Sequence, residues 1–210
     1  MSNISASQVK ELREKTGLGL MDCKKALQES DGDMDLAIEE LRKTSGIKAS
    51  KKSGRSAADG LIGLKGNGSD FFMIEVNCET DFVARDSSYI EFTSETLDSY
   101  AKSPDKSLEE LLEDGIEDKR EKIVQKLGEN IVVRRVARTE ASSVTGSYLH
   151  SNKKIGCIVS LDGGDAALAN DIAMHAAATD PMAISPTDIP EDIVEKEKEI
   201  FQAQSEDSGK

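Results

Sequence analysis

Two apolar runs on either side of a glycine-rich turn constrain the fold of this chain more than any other feature. Residues 61–65 (LIGLK) and 71–76 (FFMIEV) flank Gly66–Asp70, and the Asn-Gly step in this turn is typical of a β-hairpin. Helical periodicity follows over residues 86–101, and residues 131–136 (IVVRRV) predict a third strand. A hairpin with a helix to one side indicates an α+β fold with antiparallel sheet.

A second hairpin followed by a helix is predicted later in the chain. Residues 146–149 and 155–161 are apolar runs around the polar residues 151–154, and helix signals return at 166–178 and at 190–204. The two hairpin-and-helix units are similar, so a structural duplication is one interpretation and chance similarity is the other. The second unit is expected to be incomplete, because an acidic helix and no further strand follows it.

The first 46 residues predict three short helices. Ser5 and Gln8 have the spacing of a capping box, Gly17 lies where a left-handed C-cap residue belongs, and Asp33 can cap the third helix. A unit of this size with few large apolar residues is only marginally stable alone. We therefore interpret it as a partner-binding module, with a merely structural cap as the alternative. A narrow buried stripe in the third helix is predicted from Met34, Ala37, Ile38 and Leu41.

A basic stretch separates this module from the rest of the chain. Residues 47–56 contain cations and no acid, and their small polar composition is typical of a linker. The cations are Lys48, Lys51, Lys52 and Arg55. The predicted organisation is a three-helix module (1–46), the basic linker (47–56), a core N-subdomain (57–140), a core C-subdomain (141–183) and a helical segment (184–210).

Composition excludes several classes of function. The formal net charge is −13, from 27 Lys and Arg against 40 Asp and Glu, whereas binding to a phosphate backbone requires an excess of cations. General nucleic-acid binding is therefore not expected, although the basic residues 47–56 leave an RNA-associated factor as an alternative. No apolar run is long enough to span a bilayer, and the first residues lack the features of a signal peptide. Three widely spaced cysteines are typical of reduced thiols, so we expect a cytoplasmic protein.

The sequence contains no recognisable catalytic motif. The glycines around residue 66 are not followed by the Gly-Lys-Ser/Thr of a phosphate-binding loop, so no direct nucleotide binding is expected. His175 lies in a helix of small residues, where packing is favoured, and His150 lies in a turn, where surface binding is favoured. Neither has the neighbouring ligands of a metal site, and no cofactor is expected. An enzyme with a site between the two hairpins stays as an alternative.

The connection between the second strand and the helix at residue 86 stands out. In residues 76–86 (VNCETDFVARD), Asp81 and Phe82 lie side by side on a short connection. Phe82 can staple the helix to the sheet as a core residue. An exposed Phe beside an Asp is instead typical of an interface anchor, because aromatic side chains supply a large contact area at low entropic cost.

These segments together resemble the elongation factor Ts family. The resemblance extends over nearly the whole chain, and the order and spacing of its pieces are more specific than any one piece. The pieces are VKELR (9–13) with Thr16 and Gly17, MDCKKAL (21–27), AADG (57–60), residues 76–86, GENI (128–131), Gly146–Tyr148 with His150, IAMHAA (172–177) and VEKE (194–197).

The resemblance implies a guanine-nucleotide exchange factor that binds elongation factor Tu, with a ubiquitin-associated-like first module and two related α+β subdomains. By this resemblance, Thr80, Asp81, Phe82 and Val83 correspond to the family segment that contacts the partner's G domain near its Mg²⁺ and phosphate site. Insertion of the Phe would displace Mg²⁺, and GDP would leave. His150 likewise corresponds to a family histidine on the subdomain that faces the partner's third domain. A scaffold or RNA-associated protein without exchange activity is the alternative.

One departure from the family concerns the end of the chain. Family members continue past the position of Lys210 with the second half of a helical hairpin, more strands and a C-terminal segment. The resemblance therefore implies an incomplete second subdomain. Homodimerisation through the hairpin is accordingly not expected for this chain.

Overall fold

The computed structural model of the chain describes residues 4–66, 70–139 and 144–207. Within these ranges it contains helices and two antiparallel sheets, which confirms the α+β prediction. The predicted turn residues Asn67–Ser69 lie outside the described residues. The helices are α1 (Ala6–Thr16), α2 (Leu20–Glu29), α3 (Met34–Lys52), α4 (Asp81–Ala84), α5 (Ser87–Lys102), α6 (Leu108–Leu111), α7 (Glu117–Leu127), α8 (Ala166–Thr179) and α9 (Glu191–Asp207), and the strands are β1 (Asp59–Gly66), β2 (Phe71–Cys78), β3 (Val132–Arg138), β4 (Val144–Leu149) and β5 (Gly156–Leu161).

Helices α1, α2 and α3 form the predicted three-helix arrangement. Ser5 and Gln8 make both bonds of the capping box, and Gly17 ends α1 in the left-handed conformation at φ +70°. Asp33 caps α3 by accepting hydrogen bonds from the amides of Asp35 and Leu36 at 2.9 and 3.0 Å. The kinship with ubiquitin-associated modules stays a prediction. The module has its own core, which contains Val9, Leu12, Leu18, Cys23, Ala26, Leu27, Ala37 and Leu41.

The basic linker predicted from residue 47 is wrong over residues 47–52, because α3 continues without interruption to Lys52. Ser45 and Ala49, one helical turn apart, are both buried. The hydroxyl of Ser45 bonds the side chain of Gln125 in α7, and Ala49 packs into the core of the second part of the chain. The small side chains that suggested a linker instead allow α3 to approach α7 closely.

Polar contacts towards both ends of α7 fix α3 against it. Arg42 Nη2 lies 2.5 Å from Asp118 Oδ2, near the start of α7. Lys52 Nζ donates to the carbonyl of Gly128, just after the end of α7, at 2.7 Å. The three-helix module and the rest of the protein are therefore in direct contact along α3.

The first sheet has the strand order β1–β2–β3, all antiparallel, with α5 packed on β1 and β2. Tyr89 of α5 is fully buried, and its hydroxyl donates to the carbonyl of Val76 in β2 at 2.6 Å. The rings of Phe72 and Tyr100 meet edge to face, with 5.9 Å between their centroids. This core fixes both ends of the connection that leads from β2 to α5.

The second hairpin-and-helix unit is also present, with α8 packed on β4 and β5. Gly146 of β4 lies so close to α8 that an added Cβ would be 2.3 Å from the Ala169 carbonyl carbon. The second hairpin contacts the first, because the amide of Ile62 donates to the carbonyl of Lys153 at 2.7 Å. Whether the two units are a duplication stays a hypothesis. No helix in the described ranges is both long enough and apolar enough to cross a membrane.

Candidate partner-binding site

Phe82 lies on the one-turn helix α4, in the connection that the sequence singles out. The exposed fraction of Phe82 is 82%, whereas the next two residues, Val83 and Ala84, are buried at 8% and 4%. The core-staple interpretation of Phe82 is therefore wrong. Val83 and Ala84 attach the turn to the core, and Phe82 projects into solvent, where an interface anchor has to be.

Thr80 caps this turn and links it to a distant segment. Its Oγ1 accepts a hydrogen bond from the Val83 amide at 3.4 Å, and its backbone has the extended conformation typical of an N-cap. The same hydroxyl donates to Glu129 Oε1 at 2.6 Å. The amides of Glu79 and Thr80 donate to Glu129 Oε2, both at 3.0 Å. One carboxylate therefore accepts three hydrogen bonds at the start of α4.

A hydrogen bond also runs in the opposite direction between the same two segments, because the amide of Asn130 donates to Glu79 Oε1 at 2.6 Å. Asn130 also bonds a third segment, the connection after α3, where its Nδ2 donates to the carbonyl of Arg55 at 2.8 Å. The guanidinium of Arg55 lies 3.5 Å from Glu79 Oε1. We call Glu79, Thr80, Glu129 and Asn130 the cross-clamp, because each of the β2–α4 and α7–β3 connections binds a carboxylate of the other.

Neither Glu129 nor Asn130 is recognisable as a site residue from the sequence, although both fall in the family-like segment GENI (128–131). The available signal is their position directly after Gly128, which ends α7 at φ +80°. The partner amide of Glu129 is 50 residues away in sequence. Spacing alone cannot assign a partner over that distance.

Asp81 is paired within its own turn. Its Oδ2 lies 2.8 Å from Nη2 of Arg85, and both side chains are substantially exposed. Exposed pairs at this spacing contribute only about 0.3–0.5 kcal/mol. A partner can therefore replace Arg85 at small cost, and Asp81 and Phe82 form one accessible surface.

The thiol of Cys78 lies buried beneath the turn. Its Sγ donates to the carbonyl of Thr80 at 3.2 Å. Burial raises the pKa of Cys78 to about 11, because the thiolate would lose its solvation. The pKa of the neighbouring Tyr89 hydroxyl is also raised, and burial is again the main cause. Both groups are neutral at physiological pH, so the floor of the site is an uncharged part of the core.

This environment predicts an order of thiol reactivity. At pH 8 we expect Cys157 to be alkylated first, because it is only half-buried, whereas Cys23 and Cys78 are buried. Burial also raises the pKa of Cys157, so its labelling will be slower than that of a free thiol. Peptide mass spectrometry after timed iodoacetamide treatment measures the three rates, with the denatured protein as control. Native Cys78 reacting as fast as denatured Cys78 would contradict the described packing.

His150 belongs to a different surface element from Thr80, Asp81, Phe82 and Val83. It is exposed at the turn between β4 and β5. Its ring Nδ1 lies 3.1 Å from Asn152 Oδ1, and its ring meets that of Tyr148 edge to face. Residues 80–83 thus lie together on the β2–α4 connection, with Phe82 exposed and Val83 buried, so a direct partner contact predicted for Val83 is not accessible in this structure, and His150 lies apart on the second hairpin. His175 is exposed on α8, so the packing role favoured for it is wrong.

Other kinds of site find little support in the part of the chain that the structure describes. Among those residues, no group of three or more His, Cys, Asp or Glu could hold a metal ion. A cavity of about 190 Å³ lies against β1, α5 and the second hairpin. Its described lining contains no carboxylate, imidazole or thiol; the polar side chains there are Thr93, Ser94 and Lys153. This cavity offers the enzyme alternative no carboxylate, imidazole or thiol. A second cavity beside the second hairpin is lined by Asp59, Glu75, Arg135 and Lys154, but these charges are paired as Asp59–Lys154 and Glu75–Arg135.

Known proteins with similar sequences align with nearly the whole chain. The family model described as Elongation factor TS matches residues 79–210. Elongation factor Ts of Hahella chejuensis is 49% identical over 212 residues, which cover 100% of this chain and 74% of that protein. The protein of the same name from Saccharophagus degradans is 52% identical over 210 residues, 99% of this chain and 72% of that protein. The one from Arthrospira platensis is 46% identical over 218 residues, 100% of this chain and 88% of that protein.

Proposed function

Since this chain belongs to the elongation factor Ts family of translation elongation factors, we propose that it is a guanine-nucleotide exchange factor that binds GDP-bound elongation factor Tu and promotes GDP release. The observation that carries the proposal is Phe82, an aromatic side chain 82% exposed on a turn whose start is hydrogen-bonded to a second segment. An exposed aromatic residue on a fixed support can enter a partner without first being ordered.

In the proposed mechanism, Asp81 and Phe82 press on the partner's G domain near its Mg²⁺ and phosphate site. Phe82 inserts between side chains of the partner, Mg²⁺ coordination is lost, and GDP dissociates. The factor must then bind the nucleotide-free partner more tightly than the GDP-bound one. By linkage, GDP weakens the binding of the factor by the same ratio. The protein acts by binding and not by transforming a substrate, and no cofactor of its own is proposed.

The three-helix module offers a second surface for the same partner. Leu20, Met21 and Leu36 are apolar side chains with exposed fractions of 51%, 71% and 54%. Large apolar side chains exposed together on a small module are typical of protein-binding surfaces. We propose that this module contacts the G domain and that His150, on the second hairpin, contacts the partner's third domain.

Release of a fluorescent GDP analogue from elongation factor Tu tests the proposed function. Substoichiometric amounts of the chain should accelerate release, because an exchange factor turns over. The control is a direct calorimetric titration of the chain with GDP, in which we expect no binding. A stable complex that leaves the release rate unchanged would contradict exchange and support the scaffold alternative.

The RNA-associated alternative depends on the cations of residues 47–56. Three of these are engaged within the chain: Lys48 Nζ lies 3.0 Å from Asp22 Oδ1, Lys52 bonds the Gly128 carbonyl, and Arg55 pairs with Glu79. These contacts compete with phosphate and so count against RNA binding, although only weakly, since exposed pairs contribute at most about 1 kcal/mol each.

The double variant Lys48→Gln, Lys51→Gln separates the two functions. We expect only a modest fall in the rate of association with elongation factor Tu, mainly at low salt, because exposed charges act on encounter and are screened. Stopped-flow association at two salt concentrations, with an RNA-retention assay beside it, makes the measurement. Loss of salt-sensitive RNA retention, with exchange absent from the parent chain, would support the alternative.

A further inference from the structure

The one-turn helix that carries Phe82 is too short to hold its own orientation. Four residues, Asp81–Ala84, form α4, and a single turn fixes several dihedral angles for very few hydrogen bonds. Its orientation therefore depends on contacts outside the turn, which are the core packing of Val83 and Ala84 at its end and the groups bound at its start. The cross-clamp supplies those groups.

We infer that Glu129 is a positioning residue for nucleotide exchange, which acts by fixing the turn that presents Phe82. The Glu129 carboxylate accepts from the amides of Glu79 and Thr80 and from the Thr80 hydroxyl. Hydrogen bonds to an ionised acceptor are about twice as strong as neutral ones. This inference rests on the proposed exchange function, because the effect of Glu129 is exerted through Phe82.

The Thr80 hydroxyl connects Glu129 to the turn, because it hydrogen-bonds both. It has one proton, which it donates to Glu129 Oε1 at 2.6 Å, and its oxygen is then free to accept from the Val83 amide at 3.4 Å. Glu129 thereby selects the Thr80 rotamer that caps α4. Val83 and Ala84 pack into the core directly after Phe82, so the turn is held from both ends.

A neutral side chain of the same shape replaces this carboxylate only in part. Gln has one acceptor oxygen and a donor NH₂ where Glu129 has two acceptors. In Glu129→Gln the side-chain oxygen can still accept from the two backbone amides, but the NH₂ then faces Thr80 Oγ1 as a donor, so the Thr80 proton loses its acceptor and the remaining bonds are no longer charge-assisted. The variant therefore weakens the constraint and releases the Thr80 rotamer with almost no change in volume.

The experiment is a double-mutant cycle on the efficiency of GDP release from elongation factor Tu. Glu129→Gln alone should lower that efficiency about tenfold, which is less than the roughly 100-fold loss that a 1 Å misplacement of a reacting group can cause. In a Phe82→Ala background the same substitution should change it less than about twofold, because the group that Glu129 positions is already absent. Thr80→Val, which removes the linking hydroxyl, should reproduce the loss if Glu129→Gln folds poorly.

Glu110→Gln is the matched control. Glu110 Oε2 accepts from the Ser107 amide at 2.8 Å and completes the capping box of α6. This carboxylate also caps the start of a helix, although α6 continues directly into the π-helical segment Leu112–Ile116, and it lies outside the cross-clamp. We expect Glu110→Gln to leave the efficiency of GDP release unchanged and to lower the melting temperature less than Glu129→Gln does, because Glu110 is exposed and accepts one bond that Gln can also accept.

The possible results distinguish this inference from the proposed function. Normal exchange by Phe82→Ala would overturn the proposed role of Phe82, and the positioning role with it. Slow exchange by Phe82→Ala together with normal exchange by Glu129→Gln and Thr80→Val would overturn only the positioning role. An equal loss from Glu129→Gln in both backgrounds would also overturn it, because Glu129 would then act independently of Phe82.

Discussion

Phe82→Ala is expected to lower the efficiency of GDP release from elongation factor Tu by about tenfold or more and to leave the melting temperature nearly unchanged. Truncation of an aromatic anchor costs on the order of 2 kcal/mol or more of interaction free energy, and about 1.4 kcal/mol corresponds to tenfold. The stability should change little, because the side chain is 82% exposed and exposed substitutions usually stay within about 0.5 kcal/mol. Fluorescent GDP release and thermal unfolding on the same sample measure both effects.

Two other phenylalanines serve as matched controls. Phe72 is 5% exposed and contacts Tyr100, so Phe72→Ala should lower the free energy of unfolding by about 3–5 kcal/mol. Phe201 is 65% exposed on α9, and Phe201→Ala should change neither property.

Asp81→Ala should lower the efficiency of GDP release, as Phe82→Ala does, but more weakly, since Asp81 already has Arg85 as a partner. A large fall in melting temperature for Phe82→Ala, with normal exchange by its folded fraction, would show that the site is assigned wrongly.

Gly146→Ala is expected to have the largest effect on stability of any single methyl group added to the second hairpin. The new Cβ would lie 2.3 Å from the carbonyl carbon of Ala169 and 2.5 Å from the amide nitrogen of Asn170. These are backbone atoms, so β4 and α8 must separate, at a cost of about 3 kcal/mol. Calorimetry should show a lower melting temperature or a separate early transition of this unit.

Gly163→Ala is the control for the added methyl group itself. No atom lies within 4 Å of a Cβ at Gly163, so this variant should unfold like the parent. Similar unfolding of Gly146→Ala and Gly163→Ala would show that β4 and α8 are not in close contact.

Local signals in the sequence predict much of the fold, because their partners lie within one helical turn. Ser5 with Gln8, Gly17 and Asp33 all cap helices as expected. The continuation of α3 to Lys52 is not predictable from local signals, because it depends on distant residues. Its buried residue Ser45 bonds Gln125, 80 residues away, and no spacing rule connects the two.

In the candidate site, too, the residues with local signals are predictable and those with distant partners are not. Asp81 and Phe82 are recognisable from composition, and their exposure confirms a surface position for them. The cross-clamp was not predictable, since Glu129 and Thr80 are 49 residues apart. Hydrogen bonds between connections of separate elements depend on how those elements pack, and that information is not local.

The unbroken α3 has a consequence for avidity. At 19 residues it is a rod roughly 28 Å long, and it joins the module bearing Leu20 and Met21 to the body bearing Phe82 without a flexible tether. When two surfaces engage one partner through a tether, the effective concentration of the second falls as the tether lengthens. Here the separation of the two surfaces is set by the seating of α3 on α7. The effective concentration of the second surface is therefore highest for a partner whose two binding surfaces are the same distance apart.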